Sequence, residues 1–319
     1  MEIAVRGSIG PRLATPTPYL IVGGFRLVEL AALAFCERGK VVIYVEEAVD
    51  LPLVLEGCRF EVRKVDMLPP DVYTVEAGCV PYLLKSRHCT NPISTIADMV
   101  EINTEVMRWA LDRIKQLGIE PTRGDVRGHV YGDVYNRGKI YEYTYVEGPA
   151  VIGPTSEVLP FTYLRQGSVL YHNSKVRDEV KNSIFDAYTR KQHGGYVGDS
   201  YVASFVNMGA GTNVSNLKNT LGPIKTSYSS KKYRKLGPIV GEFVKTAIGT
   251  LIYGGRYIGP LSHLYGVVER DVPPLSIYRH GEITPVDREK ARELVARDLA
   301  QFGRIDLLHF YLTSLGARE

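Results

Sequence analysis

One segment of this 319-residue chain gathers residue types that could support proton transfer. Between positions 192 and 216 it carries His193, a Gly-Ala-Gly step centred on Ala210, and three asparagines. An imidazole titrates close to neutral pH, so His193 has the chemistry of a general base. On its own, however, a loop histidine is more often a surface or structural side chain. The meaning of the segment therefore depends on the elements that hold it.

The sequence around this segment repeats with a period of six residues. A helix repeats near 3.6 residues and a strand every two, so neither requires a strict six. A parallel β-solenoid does, because each short strand turns one aliphatic side chain inward before the chain bends. The first eight rungs are Val134, Ile140, Val146, Ile152, Val158, Leu164, Leu170 and Val176. The ladder resumes at Tyr196, Val202, Met208 and Val214, and again at Val240, Thr246, Ile252, Ile258 and Leu264.

The patterns on either side of the solenoid predict two further units. Residues 1–120 alternate between strand-like and helix-like stretches, which is typical of a small α/β domain. Within them we predict a buried strand in KVVIYVEE, a helix over 25–38 and a helix from Thr95 to about Leu117. The solenoid is then assigned to residues 121–281. An amphipathic helical tail over 282–319 is expected to cover its open end.

Residues 215–238 contain no rungs and form a polar, basic excursion from the solenoid. Loops that leave a rigid scaffold are a usual place for binding residues. The stretch includes Lys231 and Lys232, and Lys245 follows nearby. These lysines could meet the phosphates of a nucleotide-containing cosubstrate, although a charge run is more often a solvated loop.

Composition and charge exclude several classes of protein. A net charge of +4 without a basic aromatic motif gives no indication of nucleic-acid binding. No apolar run approaches the length of a membrane span, and the N-terminal residues lack the apolar stretch of a secretory signal, so we predict a cytoplasmic protein. The four cysteines show no metal-ligand spacing and are expected to be small buried side chains, with no metal site. They are Cys36, Cys58, Cys79 and Cys89.

Three ordered blocks carry a resemblance to a known family. The blocks EVKNS, QHGGYVGDS and NMGAGTNVSN resemble the left-handed β-helix acyltransferases of the sugar-phosphate branch. Within that branch they resemble the archaeal bifunctional sugar-1-phosphate nucleotidyltransferase/acetyltransferases. The stretches RKLGPIVGEFVKT and RDVPPLSIYRHG extend it, so that it covers about residues 145–281. It implies a left-handed parallel β-helix, acetyl-CoA as cosubstrate and a homotrimer with sites shared between subunits.

The resemblance also implies roles for particular residues. His193 matches the catalytic base, Ala210 the backbone N–H that stabilises an oxyanion, and Asn207 a catalytic orienting position. The expected sugar-phosphate contacts are Arg165, Lys181, Tyr196 and Asn216. For Tyr196 a place in the solenoid wall stays an open alternative, because it also falls on the six-residue ladder.

A second resemblance concerns residues 7–29, GSIGPRLATPTPYLIVGGFRLVE. They are similar to the sugar nucleotidyltransferase signature, which cradles nucleotide phosphates on a glycine-rich backbone. Arg12 and Glu29 match that signature, but the loop is short and Thr17 stands where the family keeps a lysine. We expect a degenerate domain kept for packing or binding, with Mg²⁺ needed only if nucleotidyl transfer is retained.

The predicted function is acetyl transfer from acetyl-CoA to the amine of a hexosamine 1-phosphate, in nucleotide-sugar biosynthesis. Two alternatives stay open. One is a sugar-1-phosphate nucleotidyltransferase, and the other is a non-catalytic partner subunit that binds sugar nucleotides.

Overall fold

The computed structural model describes residues 1–11, 13–67, 69–85, 89 and 92–316. The N-terminal unit is a four-stranded parallel sheet in the order β5-β4-β1-β6, with a small antiparallel pair β2-β3. Its elements are β1 (Glu2–Arg6), β2 (Ile21–Val22), β3 (Phe25–Arg26), α1 (Leu27–Ala34), β4 (Val41–Val45), β5 (Phe60–Lys64), β6 (Tyr73–Glu76) and α2 (Ile96–Gln116). The predicted α/β pattern and the strand at 41–45 are confirmed. The first helix is shorter than expected, because a 3₁₀ turn replaces its end at Cys36–Arg38.

Helix α2 begins and ends where the sequence signals indicate. The Thr95 hydroxyl accepts a hydrogen bond from the Asp98 N–H at 3.1 Å, and the Asp98 carboxylate accepts the Thr95 N–H at 3.0 Å. This reciprocal capping satisfies two backbone donors that the first helical turn leaves open. Gly118 follows the helix with φ of +68°, which ends it.

The central unit is a parallel β-helix whose chain visits three faces in turn. The first face contains β7 (Asp125–Val126), β10 (Lys139–Ile140), β13 (Glu157–Val158), β16 (Lys175–Val176), β19 (Arg190–Lys191), β22 (Asn207–Met208), β25 (Lys245–Thr246) and β28 (His263–Tyr265). The second contains β8 (His129–Tyr131), β11 (Tyr145–Glu147), β14 (Tyr163–Leu164), β17 (Glu179–Lys181) and β20 (Val197–Gly198), then β23 (Asn213–Val214), β26 (Leu251–Ile252) and β29 (Val267–Val268). The third contains β9 (Val134–Asn136), β12 (Ala150–Ile152), β15 (Val169–Leu170), β18 (Ile184–Phe185), β21 (Tyr201–Val202), β24 (Ile239–Val240) and β27 (Tyr257–Ile258).

The register confirms the six-residue repeat. Ile140 pairs with Val158 and Val158 with Val176, so one full coil of three faces takes 18 residues. Apart from Tyr196 and Thr246, the rung side chains form one interior hydrophobic cluster that also includes Val180, Phe185 and Val197. The expected excursion is confirmed as well, because the chain leaves the coil after β23 and rejoins it at β24.

Two interior positions differ from the predicted ladder. Val197, not Tyr196, points inward, since the coils between 176 and 202 use steps of four and five residues as well as six. Lys191 occupies an interior position of the first face next to Val176 and is only 2 % exposed. Where the spacing between inward-facing residues falls below six, a different residue faces inward than a strict six-residue period predicts.

The C-terminal residues form β30 (Ser276–Arg279), β31 (Glu282–Pro285), α3 (Arg288–Gln301) and α4 (Leu308–Ser314). The helices were expected to cover the open end of the solenoid, and this is corrected by the structure. They pack against its side, where Phe205 and Phe243 stack 4.9 Å apart and Tyr311 of α4 lies edge-on to both. A column of aromatic side chains at one corner of the β-helix offers them a continuous apolar surface.

The cysteine prediction is also corrected. All four are half-buried and form two disulfides, Cys36–Cys58 and Cys79–Cys89. No cysteine spacing in the sequence indicates these pairs, because folding brings the partners together. No helix in the described part of the chain combines the length and apolar character that a membrane crossing requires.

Candidate functional site

His193 lies on a short loop that joins β19 to β20 at the corner between the first and second faces, and its side chain is exposed. The loop must pass close to the next coil. A Cβ on Gly195 would stand 2.1 Å from the Thr212 carbonyl oxygen, and Gly195 has φ of +134°. Only glycine meets both conditions, which explains the glycine at position 195.

The Gly-Ala-Gly step occupies the same corner one coil further on. The Gly211 N–H donates to the Gly194 carbonyl oxygen at 2.9 Å, which joins the two turns directly. The Gly249 N–H donates to the Ala210 carbonyl oxygen at 2.7 Å. Within the described part of the chain, nothing accepts a hydrogen bond from the Ala210 N–H. A half-exposed free donor beside the His193 loop can stabilise negative charge on a bound group.

A polar cluster lies at the opposite edge of the second face. The Asn216 amide donates to the Tyr196 hydroxyl oxygen at 2.9 Å and also to the Asp199 carboxylate. The Lys181 ammonium lies 3.7 Å from that carboxylate. Lys181, Tyr196 and Asn216, three of the four predicted substrate contacts, are therefore in one network. Asp199, which holds them together, was missed by the sequence reasoning.

The charges of this cluster are set by burial and by neighbouring groups. Burial raises the pKa of Tyr196 to about 12, and the nearby Asp199 carboxylate adds to the effect. Burial lowers the pKa of Lys181, and Lys235 adds to this while Asp199 opposes it. Tyr196 is thus a neutral hydroxyl near pH 7 that can donate or accept a hydrogen bond.

Arg165 lies beside this cluster on the preceding coil. Its guanidinium forms an ion pair of 2.9 Å with Glu179, which raises the pKa of the arginine. Its Nε atom is buried without a hydrogen-bond partner among the described residues. A buried donor of this kind is costly unless a bound group satisfies it, which fits an anionic ligand at this edge.

The remaining predicted residues lie elsewhere. Asn207 is exposed on the first face, directly between Arg190 and Lys245 in register. The Lys245 ammonium contacts Asp298 of α3 and donates to the Phe205 carbonyl oxygen at 3.0 Å. Asn207 and Lys245 also line a cavity of about 150 Å³ beneath α3.

Lys231 of the excursion has neighbours different from those of Lys245. Lys231 is held by Asp98, at 3.2 Å, and by Glu101 of helix α2. Lys232 is exposed. The cosubstrate role of the three lysines stays a prediction.

The nucleotidyltransferase-like segment is used for packing against the β-helix. Glu242 is fully buried and accepts hydrogen bonds from the Ala14 N–H at 3.0 Å and the Thr15 N–H at 2.8 Å. Glu29 accepts the N–H groups of Val54 and Leu55, each at 2.6 Å. The Ala14 and Thr15 backbone donors of this segment are thereby taken by a carboxylate of the β-helix. Arg12 lies outside the described residues, so its predicted role has no structural account.

A cleft of about 600 Å³ remains beside this segment, lined by residues 5–10 and 13–18 together with Glu46 and Glu47. Thr17, in the lysine position, accepts a hydrogen bond from the Ile9 N–H at 3.3 Å. Among the described residues, no group of three or more histidine, cysteine or carboxylate side chains is placed to hold a metal ion.

Comparison with known proteins gives relatives by sequence. The chain is 36% identical over 179 residues to a bifunctional sugar-1-phosphate nucleotidylyltransferase/acetyltransferase from Sulfurisphaera tokodaii, which covers 53% of this chain and 44% of that protein. It is 31% identical over 140 residues to the bifunctional protein GlmU from Methanococcus vannielii, covering 42% and 33%. The resemblance inferred from the motifs is confirmed. These matches span less than half of each relative's length, and no protein-family model matches the chain.

Two solved acyltransferase structures match this chain at low structural similarity. The acetyltransferase domain of PglB from Neisseria gonorrhoeae matches at 12% identity with a TM-score of 0.30, covering 89% of this chain and 99% of that one. The UDP-N-acetylglucosamine acyltransferase of Francisella novicida matches at 11% identity with a TM-score of 0.31, covering 60% and 87%. Scores at this level add nothing to the functional argument.

Proposed function

We propose that this protein transfers the acetyl group of acetyl-CoA to the amine of an amino-sugar phosphate in nucleotide-sugar biosynthesis. The observation that carries the proposal is the joined corner of two coils. There the exposed His193 loop is hydrogen-bonded to the turn that presents the free Ala210 N–H. A base next to an oxyanion donor is what amide formation from a thioester requires.

In the proposed reaction, the nitrogen lone pair of the sugar amine attacks the thioester carbonyl carbon. The new C–N bond forms while His193 takes a proton from the amine, and the Ala210 N–H stabilises the oxyanion. Collapse of this intermediate breaks the C–S bond. The proton on His193 then goes to the departing sulfur, which releases CoA as its thiol and returns the histidine to its starting form.

The acceptor side of the site is the network at the far edge of the second face. In it the Lys181 ammonium and the Arg165 guanidinium would hold a phosphate, because both are cationic and Arg165 has a buried donor to spare. Tyr196 and Asn216 would orient the sugar through hydroxyl and amide hydrogen bonds. A hexosamine 1-phosphate suits this set, since it carries both an amine and a phosphate.

The proposal includes a left-handed coil and a homotrimer, as the family resemblance implies. The second face carries Tyr131, Tyr145 and Tyr163 exposed in neighbouring coils, with the first two rings stacked 4.7 Å apart. Such a surface can pack against another subunit. A mass of three times the 35.5 kDa chain in light scattering would agree with this assembly, and a monomer would contradict it.

A second candidate function is binding of a sugar nucleotide without turnover in the N-terminal unit. The cleft of about 600 Å³ favours it, because this volume is typical of a small-molecule site. Active nucleotidyl transfer is disfavoured, since Glu242 occupies backbone donors of the signature segment and Thr17 replaces the lysine.

The test measures thiol release from acetyl-CoA with glucosamine 1-phosphate and with galactosamine 1-phosphate. Parallel reactions contain UTP or dTTP, Mg²⁺ and a sugar phosphate, and are assayed for pyrophosphate. We expect CoA release that depends on the amino sugar and no pyrophosphate. Pyrophosphate without CoA release would favour the nucleotidyltransferase, and no product in either reaction would favour the non-catalytic partner.

A further inference from the structure

A lysine lies inside the β-helix two residues before His193. Lys191 ends β19, and its register partner Val176 belongs to the interior aliphatic cluster. The side chain is 2 % exposed. An ammonium group in an aliphatic column is destabilising unless its donors find acceptors. Hydrophobic packing therefore does not explain why a lysine occupies this position.

The ammonium group of Lys191 donates hydrogen bonds to two backbone carbonyl oxygens near His193. The Lys191 Nζ donates to the Arg177 carbonyl oxygen at 2.6 Å and to the His193 carbonyl oxygen at 3.1 Å. These two oxygens belong to consecutive coils at the corner where His193 lies. The long side chain thus reaches from the core to the corner and connects the histidine loop to the coil before it.

Two further contacts hold the same loop from other directions. The Asp178 carboxylate accepts the Gly195 N–H at 2.7 Å, and the Gly194 carbonyl oxygen accepts the Gly211 N–H at 2.9 Å. Nothing in the described part of the chain hydrogen-bonds the His193 imidazole itself. The position of the ring is consequently set through the backbone of its loop.

We propose that Lys191 is a positioning residue that fixes the backbone of His193 and thereby aims the imidazole at the acceptor amine. The inference rests on the proposed function, in which His193 is the general base. In the proposed reaction, Lys191 itself touches neither substrate nor cosubstrate. Burial lowers the pKa of Lys191 to about 8, opposed by Asp178, so the ammonium that donates these bonds predominates below that pH.

The test replaces Lys191 by methionine, which fills the same column with an apolar side chain. Neighbours in that column are aliphatic, so the melting temperature is expected to stay equal or to rise. A base displaced by about 1 Å can cost on the order of 10²-fold in rate, so kcat should fall by about 10- to 100-fold. The KM for acetyl-CoA should stay nearly unchanged.

A second readout follows the loop without any reaction. Hydrogen exchange of the segment 192–196, measured by mass spectrometry, should become faster in Lys191→Met while other coils keep their protection. Lys175→Met is the matched control. Lys175 belongs to the same sheet but forms its ion pair with Glu157 at the surface, so both readouts should stay at the wild-type level.

The outcomes separate this inference from the proposed function. If the wild type transfers acetyl groups and Lys191→Met keeps the same kcat and the same hydrogen exchange, the positioning role alone would be overturned. A wild type without acetyl transfer would overturn the proposed function, and the imidazole would then have no acceptor amine to be aimed at. Loss of the folded state in Lys191→Met would also overturn the inference, because the ammonium would then be a requirement of the core.

Discussion

At the residue scale, the strand register decides which side chains of the site face the interior of the β-helix and which face outward. Tyr196 falls on the six-residue ladder, yet Val197 takes the interior place and leaves the tyrosine hydroxyl to Asn216. Asp199 then ties this pair to Lys181. The roles of Tyr196 and Asn216 come from the family resemblance and stay a prediction, while the structure shows the two side chains hydrogen-bonded to each other.

The central residue prediction concerns His193. Replacing it by alanine should lower the rate of acetyl transfer by a factor on the order of 10² to 10⁴, because a general base contributes about that much. The exposed side chain has no hydrogen-bond partner among the described residues, so stability and CoA binding should hardly change. Steady-state kinetics and calorimetric titration with CoA would measure this. His129→Gln, which replaces an exposed histidine on the second face, serves as the control. A fully active His193→Ala protein would refute the assignment.

At the element scale, the signature segment and the β-helix hold each other through buried polar contacts. Arg26 and Asp186 form a fully buried ion pair of 2.9 Å between β3 and the third face. Glu29 receives the Tyr171 hydroxyl at 2.5 Å. Buried pairs of this kind add little net stability, but removal of one partner is strongly destabilising. Arg26 and Glu29 of the signature segment are therefore required for packing against the β-helix.

Glu242 allows a direct test of this coupling. In Glu242→Gln one carboxylate oxygen becomes an amide donor, so a buried N–H of Ala14 or Thr15 loses its acceptor. The free energy of unfolding should fall by about 1–3 kcal/mol, the usual cost of an unsatisfied buried group. Chemical denaturation measures it, with the exposed carboxylate of Glu269, changed to glutamine, as control. Equal stability of both variants would show that Glu242 does not anchor the segment.

At the scale of the whole molecule, one hydrophobic cluster joins the N-terminal sheet, the third face and the C-terminal helices. Polar contacts follow the same path. Arg304, just after α3, reaches the Asp50 carboxylate at 3.3 Å and the Tyr188 hydroxyl at 3.3 Å. The N-terminal unit thus shares its core with the acyltransferase-like coil, and we expect both to unfold together.

His172 gives the assembled molecule a predictable response to acid. It lies among Arg26, Arg304 and Asp186, each from a different unit, and burial lowers its pKa from 6.5 to about 4. Between pH 6.5 and about 4, the His172 imidazole is protonated in the unfolded chain but not in the folded protein. Stability from this residue is therefore present above pH 6.5 and is lost as the pH falls towards 4.

The measurement is the melting temperature as a function of pH from 4 to 7. In His172→Gln the decline on the acid side should be shallower than in the wild type, since the buried imidazole is gone. His129→Gln removes an exposed histidine and should keep the wild-type slope. Equal slopes in all three proteins would contradict the prediction.

The sequence by itself determined the β-helix, because a period of six imposes one inward side chain per short strand in every coil. It also determined helix α2, whose capping residues are local in the chain. The segment containing His193 and Ala210 was recognisable from its residue types and its resemblance to a family.

Only the tertiary structure decided which residues the coils bring together. Shortened coils between 176 and 202 exchange Tyr196 for Val197 and place Lys191 in the core. Glu242 contacts Ala14 and Thr15, which are 228 and 227 residues away in the chain. The disulfides join cysteines whose spacing in the sequence does not indicate the pairing. The C-terminal helices lie along an aromatic column instead of over the open end. Contacts of this kind depend on where distant segments meet in space, and no local pattern of residues encodes that.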